Sequence, residues 1–364
     1  MSASRSLSLV DLRRFALARS LVESRSLAAA VERMGFVQAD PIRAPARAQD
    51  LILRHRVSGH RAGDLERRYG KLAIEEDSFV NYGFLPRRHV ELMHPRAPRR
   101  AWDKPTTRLA ARVLEFVREL GEAHPRQVDA HFARGTVRNY WGGSSSATTH
   151  LLDGMHFRGL LRVARRDAGI RIYAPREPAT KPPGASSRQA AADALLALAV
   201  ALYAPLPKAT LGQLTSRLRH SAPQLSTELG AALRRAHSQL GRARIADVDW
   251  YWPAAEEPLR FADWDRSERV RFVAPFDPIV WDRRRFEHFW GWAYRFEAYT
   301  PVARRKLGYY ALPLVWRDQA IGWCNFTAEG VRLGYVAGHA PRERAYLREL
   351  DAEVERMRRF LEVR

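Results

Sequence analysis

The sequence predicts an α+β protein made of tandem winged-helix (helix-turn-helix) units followed by a β-rich C-terminal module. Three observations support this prediction. A pattern of three helices with short extended segments occurs three times, without sequence identity between the copies. The last hundred residues contain strand-like runs bounded by turns. A linker rich in Pro, Gly and Ser separates the second pattern from the third. The predicted domains are residues 1–100, 101–177, 188–262 and 263–364.

In the first unit, Ser8 has the position of a helix N-cap, because apolar residues follow it at helical spacing. A second helix is predicted to follow Ser24 and to end at Gly35, since glycine readily adopts the left-handed conformation at a helix end. Residues 36–40 are predicted to be extended. Residues 45–55 are predicted to form the third helix.

The second and third units repeat this outline. Helices are predicted at residues 108–120, 125–132 and 145–158, followed by a hairpin with its turn at 167–169, which is the wing. In the third unit the predicted helices are residues 189–203, 211–218 and 226–240. In the C-terminal module the predicted strands are residues 270–274, 309–316, 320–326 and 330–336, and the predicted final helix is residues 341–361.

The charge of the chain favours a nucleic-acid partner. The 364 residues carry a formal net charge of +21, from 61 basic and 40 acidic side chains. A field of that sign concentrates polyanions, of which nucleic acid is the commonest large example in a cell. Only five of the basic residues are lysines. A GC-rich genome explains the preference for arginine, but it explains the net charge less well.

Several classes of protein are disfavoured. The single cysteine, Cys324, excludes an intramolecular disulfide and suits a reducing compartment. The first residues lack the apolar core of a secretory signal. The longest apolar run, residues 190–206, is interrupted by Asp193 and is too short to span a membrane. We therefore expect a cytoplasmic protein. There is no P-loop, His-Glu-x-x-His motif or cysteine pair, so no metal and no cofactor are expected.

The most informative motif is Val37-Gln-Ala-Asp-Pro41. On an extended segment, residues two apart face the same side, so Gln38 and Asp40 should project together. Arg43 and Arg47 follow closely. A carboxylate and an amide with phosphate-binding arginines nearby suit attack on a nucleotide. Spacing alone fits better with a structural role, in which the Asp caps the next helix and the Gln bonds the backbone.

Longer stretches around this motif resemble a known family. Residues 35–42, Gly-Phe-Val-Gln-Ala-Asp-Pro-Ile, and residues 46–53, Ala-Arg-Ala-Gln-Asp-Leu-Ile-Leu, are similar to the winged-helix interstrand-crosslink DNA glycosylases, the YcaQ/AlkZ group. That group carries Gln-aliphatic-Gln or Gln-aliphatic-Asp, and this sequence has the Asp form, which resembles the YcaQ/AlkX branch. The resemblance covers nearly the whole chain. Further similar stretches are Phe84-Leu-Pro, Asn139-Tyr-Trp-Gly, and residues 159–163, 275–285 and 309–313.

The resemblance implies a monofunctional DNA glycosylase, a hydrolase of the N-glycosidic bond in DNA repair. Its substrates would be N7-alkylated guanines, both as monoadducts and in interstrand crosslinks. Gln38 and Asp40 would be the catalytic residues. The expected partner is double-stranded DNA carrying this damage, bound by a monomer at the nucleoid and without a membrane.

The expected DNA contacts lie near the motif and at the turn and helix of the second unit. For any single arginine a solvated surface role fits equally well, and Trp141 also fits a place in the core. Arg283, Arg284 and Arg285 are additional candidates in the C-terminal module. The expected contacts are Arg43, Arg47, Arg138, Asn139, Trp141 and His150.

Two positions depart from the family's pattern. Ala39 is the smallest filler of the aliphatic position, so looser packing is expected beneath the pair. Residues 75–83 are acidic at their start, where the family would have an aromatic stretch with a His-Glu pair. We assign no catalytic role to this segment and expect a solvated acidic face.

Two other classes of function stay open on the sequence. Winged helices most often bind DNA sequence-specifically, so a transcriptional regulator without catalytic activity is the main alternative. A regulator would form symmetric dimers, prefer one operator and not need Asp40. A structural nucleoid-associated or RNA-binding protein would also fit the charge. The absence of an evident dimerisation helix or ligand pocket in the sequence disfavours the regulator.

Overall fold

The computed structural model describes most of the chain in two compact units. The first comprises Met1–Leu65, Ala197–Leu214 and Leu233–Arg364, and the second comprises Glu66–Leu196 and Thr215–Ala232. The division into four domains stays a prediction. The described residues are 6–98, 100–132, 135–138, 144–177, 184–261, 264, 268–327 and 330–362.

The chain begins with helices α1 (Leu9–Ser20) and α2 (Leu27–Met34), strand β1 (Val37–Gln38) and helix α3 (Ala48–Leu53). Ser8 caps α1 as predicted, because its hydroxyl accepts from the backbone of Asp11 while the Asp11 carboxylate accepts from the backbone of Ser8. The N-cap of α2 is Ser26, so the predicted start at Ser24 was wrong. Gly35 ends α2 with a left-handed φ of 70°, which confirms its predicted role.

The following elements, up to residue 175, include the predicted wing. Strands β6 and β7 pair antiparallel as a hairpin, and Ala123 bridges to Tyr173 in β7. Helix α6 buries Ala110, Val113 and Val117, which share one face at helical spacing. The elements are α4 (Asp64–Arg68), β2 (Ile74–Ser78), β3 (Tyr82–Pro86), α5 (Arg87–Glu91), α6 (Lys104–Leu120), α7 (Pro125–Phe132), β4 (Thr136–Arg138), β5 (Ser144–Ser146), α8 (Ala147–Phe157), β6 (Leu161–Asp167) and β7 (Ile170–Pro175).

The third predicted unit has the element order of a winged helix. Strand β8 lies between the first two helices and pairs with β10, which also pairs with β9, so the sheet order is β8-β10-β9. Among the helices of the described ranges, none combines the length and apolar character needed to cross a bilayer. The elements are α9 (Ala185–Tyr203), β8 (Leu206–Pro207), α10 (Lys208–Ser221), α11 (Ser226–Gln239), β9 (Gly241–Ile245) and β10 (Val248–Trp252).

The C-terminal module is β-rich, as predicted. Its four strands are antiparallel in the order β11-β12-β13-β14. Leu17 of α1 joins Val273, Phe286, Tyr294 and Val315 in one buried cluster, so the N-terminal helix packs on this module. The elements are β11 (Val270–Phe272), α12 (Pro278–Trp281), α13 (Arg283–Trp290), β12 (Leu312–Trp316), β13 (Gln319–Thr327), β14 (Gly330–Tyr335) and α14 (Arg344–Leu361).

The arginine run at the start of α13 is largely structural. Arg285 is 1% exposed and donates to the backbone carbonyls of Tyr203, Pro205 and Pro278. The prediction that it contacts DNA is wrong, because a buried guanidinium held by carbonyl groups cannot reach a phosphate. Arg283 also donates to backbone carbonyls, whereas Arg284 is exposed.

The acidic segment forms the hairpin of β2 and β3 and is not a solvated face, so that expectation was wrong. Glu75, Glu76 and Asp77 are at most 2% exposed. Each is compensated by an arginine, as buried charge requires. Although burial raises the pKa of Asp77, the Arg96 guanidinium holds it well below its ordinary value. The closest arginine contacts are Glu75–Arg176 at 2.5 Å, Glu76–Arg166 at 2.6 Å and Asp77–Arg96 at 2.7 Å.

Candidate active site

Gln38 and Asp40 lie on the short segment that joins α2 to α3. Both are buried, at 8% and 9% exposure, while Ala39 between them is more exposed. The backbone N–H of Ile42 donates to Oδ1 of Asp40 at 2.9 Å, which fixes the carboxylate in a local turn. The alternative in which Asp40 caps the next helix is wrong, because the N-cap of α3 is Arg47.

The Asp40 carboxylate is unusual in its electrostatics. Burial raises its pKa above the ordinary value of 3.8, and the Ile42 N–H and the positive charge of Arg47 only partly oppose this. The partial loss of water strengthens the field of the carboxylate toward a nearby cation. The buried acids of the β2–β3 hairpin differ, since arginine contacts compensate them.

Two tyrosines of the C-terminal module lie within the field of Asp40. Burial raises the pKa of Tyr310 well above its ordinary value, and the charge of Asp40 raises it further. The pKa of Tyr299 is raised by the same two causes in the same order. Phe296 contacts both tyrosine rings, with centroids 5.0 Å from Tyr310 and 6.2 Å from Tyr299. The Asp40 carboxylate therefore lies close enough to two phenols to raise their pKa, and both phenols stay protonated at neutral pH.

The hydroxyl of Tyr310 is available for a ligand. The residue is 3% exposed, and its Oη has no hydrogen-bond partner among the described residues. A buried donor without a partner costs about 1–3 kcal/mol, so such groups are rare in folded proteins. A water molecule or a ligand oxygen would satisfy this hydroxyl.

The loop between α13 and β12 carries these tyrosines and is held by one carboxylate. Oε2 of Glu297 accepts from the backbone N–H groups of Lys306, Leu307 and Gly308 at 2.8, 2.7 and 3.2 Å. At the end of the loop, the Tyr294 hydroxyl donates to the carbonyl of Ala311 at 2.7 Å. These bonds order the backbone on which Tyr299 and Tyr310 depend.

Comparison with known proteins assigns the chain to a family. The family model described as "DNA glycosylase AlkZ-like" matches residues 31–360, which includes the segment of Gln38 and Asp40. The chain belongs to the AlkZ-like DNA glycosylase family. The resemblance inferred from the motifs is confirmed at this level, and membership makes the protein a hydrolase of N-glycosidic bonds. The assignment to the Gln-aliphatic-Asp branch stays a prediction.

A solved structure shows the same fold. The chain superposes on the DNA glycosylase AlkZ of Streptomyces sahachiroi with a TM-score of 0.63. The match covers 98% of this chain and 97% of that one, at 13% sequence identity. The mixed helical and β architecture is therefore that of an AlkZ-like glycosylase from end to end.

The DNA contacts expected for this AlkZ-like chain are only partly described. Arg43 is exposed and Arg47 half-buried, both in the first compact unit. His150 is exposed on α8 in the second unit. The side chain of Arg138, and all of Asn139 and Trp141, lie outside the described residues. The contacts of all six with DNA stay predictions.

Sequence patterns did not reveal the parts of the candidate site that come from the C-terminal module. Glu297, Tyr299 and Tyr310 lie in an irregular loop, where neither helical nor strand periodicity marks a residue. The only signal was Tyr309-Tyr310 in a stretch similar to the family. That stretch was predicted to be a strand, whereas β12 begins at Leu312.

We expect Glu297→Ala to destabilise the loop and lower activity together. The substitution leaves three backbone N–H groups without their charged acceptor, at a cost of about 1–3 kcal/mol. Thermal unfolding measures the stability, and release of alkylated base measures the activity. Asp247→Asn, which changes a carboxylate that is 99% exposed, is the control. Unchanged activity in Glu297→Ala would show that the loop does not position the site.

Proposed function

We propose that this AlkZ-like enzyme hydrolyses the N-glycosidic bond of N7-alkylated guanine, releasing monoadducts and unhooking interstrand crosslinks. The observation that carries the proposal is the buried Asp40 carboxylate, whose charge acts on Tyr310, a buried phenol with no hydrogen-bond partner among the described residues. It acts on duplex DNA at the nucleoid as a monomer.

Alkylation at N7 makes guanine cationic, so the base leaves without a general acid. The remaining tasks are to stabilise the positive charge that develops on the sugar and to direct water at C1′. A carboxylate in a partly desolvated site does both, electrostatically and as a general base. Asp40 is therefore assigned these two roles.

Gln38 and Tyr310 are assigned positioning roles. An amide both donates and accepts hydrogen bonds, so Gln38 can hold the water or the deoxyribose against Asp40. The Tyr310 hydroxyl stays protonated because its pKa is raised, so it is available to donate to the same water or to the carboxylate. Neither Gln38 nor Asp40 can form a Schiff base, which requires an amine, so the expected product is an abasic site.

The function is tested with duplexes that carry either N7-methylguanine or a nitrogen-mustard crosslink. Released base, strand cleavage after alkali at the abasic site, and separated strands on denaturing gels are measured with the full chain. Release from both substrates is the expected result. Tight binding to the duplex without release from either substrate would overturn the proposal and favour the regulator, whose operator would then be sought.

The pH dependence of the reaction should follow Asp40. The active form is the carboxylate, so kcat/KM should be full above the folded-state pKa and fall as the pH drops through it. Burial places that pKa above 3.8, so the loss begins at a higher pH than for an ordinary Asp. The measurement is base release from N7-methylguanine across pH, corrected for spontaneous depurination.

Removal of the charge of Arg47 tests whether Asp40 sets the pH dependence. Arg47→Gln removes a positive charge that lowers the pKa of Asp40, so the acid limb of the profile should move to higher pH. Arg43→Gln removes an equal charge from an exposed side chain, where solvent screens it, and it should move the limb less. If the acid limb of the pH profile does not move in Arg47→Gln, a group other than Asp40 causes the fall in kcat/KM at low pH.

A further inference from the structure

A pocket of about 620 Å³ lies in the C-terminal module, and Ala44, which follows Asp40 by four residues, lines it. The loop at residues 305–310 forms one wall, strands β13 and β14 form the floor, and Ala44 lies at the edge. Tyr310, whose ring lines the pocket, is also within the field of Asp40. From Asp40 to Ala44 the chain spans at most about 14 Å even when fully extended. The C-terminal pocket therefore shares Tyr310 with the surroundings of Asp40 and is within reach of a DNA segment bound at that carboxylate.

The floor of the C-terminal pocket is one face of the β13–β14 pair. Trp323 and Asn325 are two apart on β13 and share this face. The indole of Trp323 lies over Gly334, where a Cβ would come within 2.2 Å of the ring. Gly308, with φ of 109°, lets the loop approach the Asn325 amide, which donates to the carbonyl of Leu307 at 2.7 Å. Two glycines thus shape a flat aromatic and polar floor.

The lining combines aromatic rings with positive charge. Tyr309, Tyr310 and Trp323 supply the rings. Arg305 lies over the Tyr309 ring at 5.0 Å from its centroid, which adds a guanidinium to the aromatic wall. Lys306 and Arg332, both exposed, supply two further cations. None of the described residues that line the pocket is acidic.

This combination matches an unpaired nucleotide. Aromatic rings and guanidinium planes stack on bases, and neighbouring cations bind the phosphates. The volume lies within the range of about 300–1,000 Å³ that is common for pockets of small ligands. A cationic N7-alkylguanine would be repelled by the three cations, whereas an undamaged base with its phosphate would be attracted.

Resting on the proposed function, we infer that the C-terminal pocket binds one undamaged, unstacked nucleotide of the DNA, next to the alkylated guanine that faces Asp40. The damaged base remains at the carboxylate, and a neighbouring nucleotide leaves the stack to occupy the pocket. Removal of this neighbour from the base stack opens a gap beside the lesion. Through this gap Asp40 reaches the deoxyribose, and a crosslinked guanine need not rotate out of the duplex.

The test uses duplexes that carry N7-methylguanine on a 2′-fluoro sugar, which slows hydrolysis. In a series of such duplexes, 2-aminopurine replaces one base at a time. The replaced positions are the three on either side of the lesion and the positions opposite these in the other strand. 2-Aminopurine brightens when it leaves the stack. Wild-type protein should brighten one of these positions. Tyr309→Ala should lose the signal and bind the duplex roughly 5- to 100-fold more weakly, because one stacking contact is removed. Arg332→Gln should lower the slope of log K against log salt by about 1.

Exposed residues on α14 provide matched controls. Leu347→Ala removes an apolar side chain that is 47% exposed, and Arg348→Gln removes a charge whose side chain is 71% exposed. Both should behave as wild type. The inference is overturned if no position brightens, or if the signal survives Tyr309→Ala. Release of base from ordinary N7-methylguanine is measured in parallel, so base release without brightening rejects the pocket alone. A failure of base release rejects the proposed function.

Discussion

Asp40→Asn should lower the rate of N7-methylguanine release about 100- to 10,000-fold, the usual contribution of a general base. The substitution removes the negative charge and the basic oxygen, but it keeps the shape and the acceptor for the Ile42 N–H. Binding to the damaged duplex should persist, because the substitution removes no positive charge. Single-turnover base release and duplex binding by anisotropy separate the two effects.

The same substitution should not destabilise the protein. A folded-state pKa above the ordinary value means that the ionised carboxylate costs stability at pH above that pKa, and the cost disappears as the pH falls through it. Asn carries no charge, so the free energy of unfolding at pH 7 should stay equal or rise. A residue that costs stability and is needed for activity is typical of a reactive centre.

Asp77→Asn is the matched control, for which we expect the opposite change in the free energy of unfolding. The pKa of Asp77 is held low by Arg96, so its charge stabilises the fold above the unfolded-state pKa, and this is lost as the pH falls through the folded-state pKa. This variant should therefore be less stable than wild type at pH 7. Full activity in Asp40→Asn would show that Asp40 is not the reacting carboxylate.

Arg56→Met should destabilise the first compact unit by about 3–5 kcal/mol, which is typical when one partner of a buried ion pair is removed. Arg56 and Asp277 are 1% and 0% exposed and joined by two hydrogen bonds of 2.7 and 3.0 Å. Arg56 also donates to the carbonyls of Ser20 and Ile52 at 2.8 and 2.7 Å. The melting temperature should fall by roughly 10 °C.

Two further variants identify the cause of this loss. Arg56→Met combined with Asp277→Leu should recover part of the stability, because no uncompensated charge remains buried. Arg358→Met changes a guanidinium that is 67% exposed and should alter the free energy of unfolding by about 0.5 kcal/mol or less. A melting temperature of Arg56→Met equal to that of wild type would show that the pair does not hold the unit together.

The sequence by itself determined the features that depend on neighbouring residues. The capping box of Ser8, the helix end at Gly35, the wing hairpin and the strands of the C-terminal module are local consequences of side-chain spacing and turn chemistry. The motif around Gln38 and Asp40 and the longer similar stretches were enough to identify the AlkZ-like family.

Only the tertiary structure decided which charged residues are buried and which partners compensate them. In the sequence, Glu75, Glu76 and Asp77 are three acidic residues expected to face solvent, and Arg285 is one arginine of a run. The structure buries all four with partners distant along the chain. It also brings Tyr310 within the field of Asp40. Burial and electrostatics depend on elements that are far apart in sequence and close together in the fold. No local sequence pattern encodes the distances between such elements.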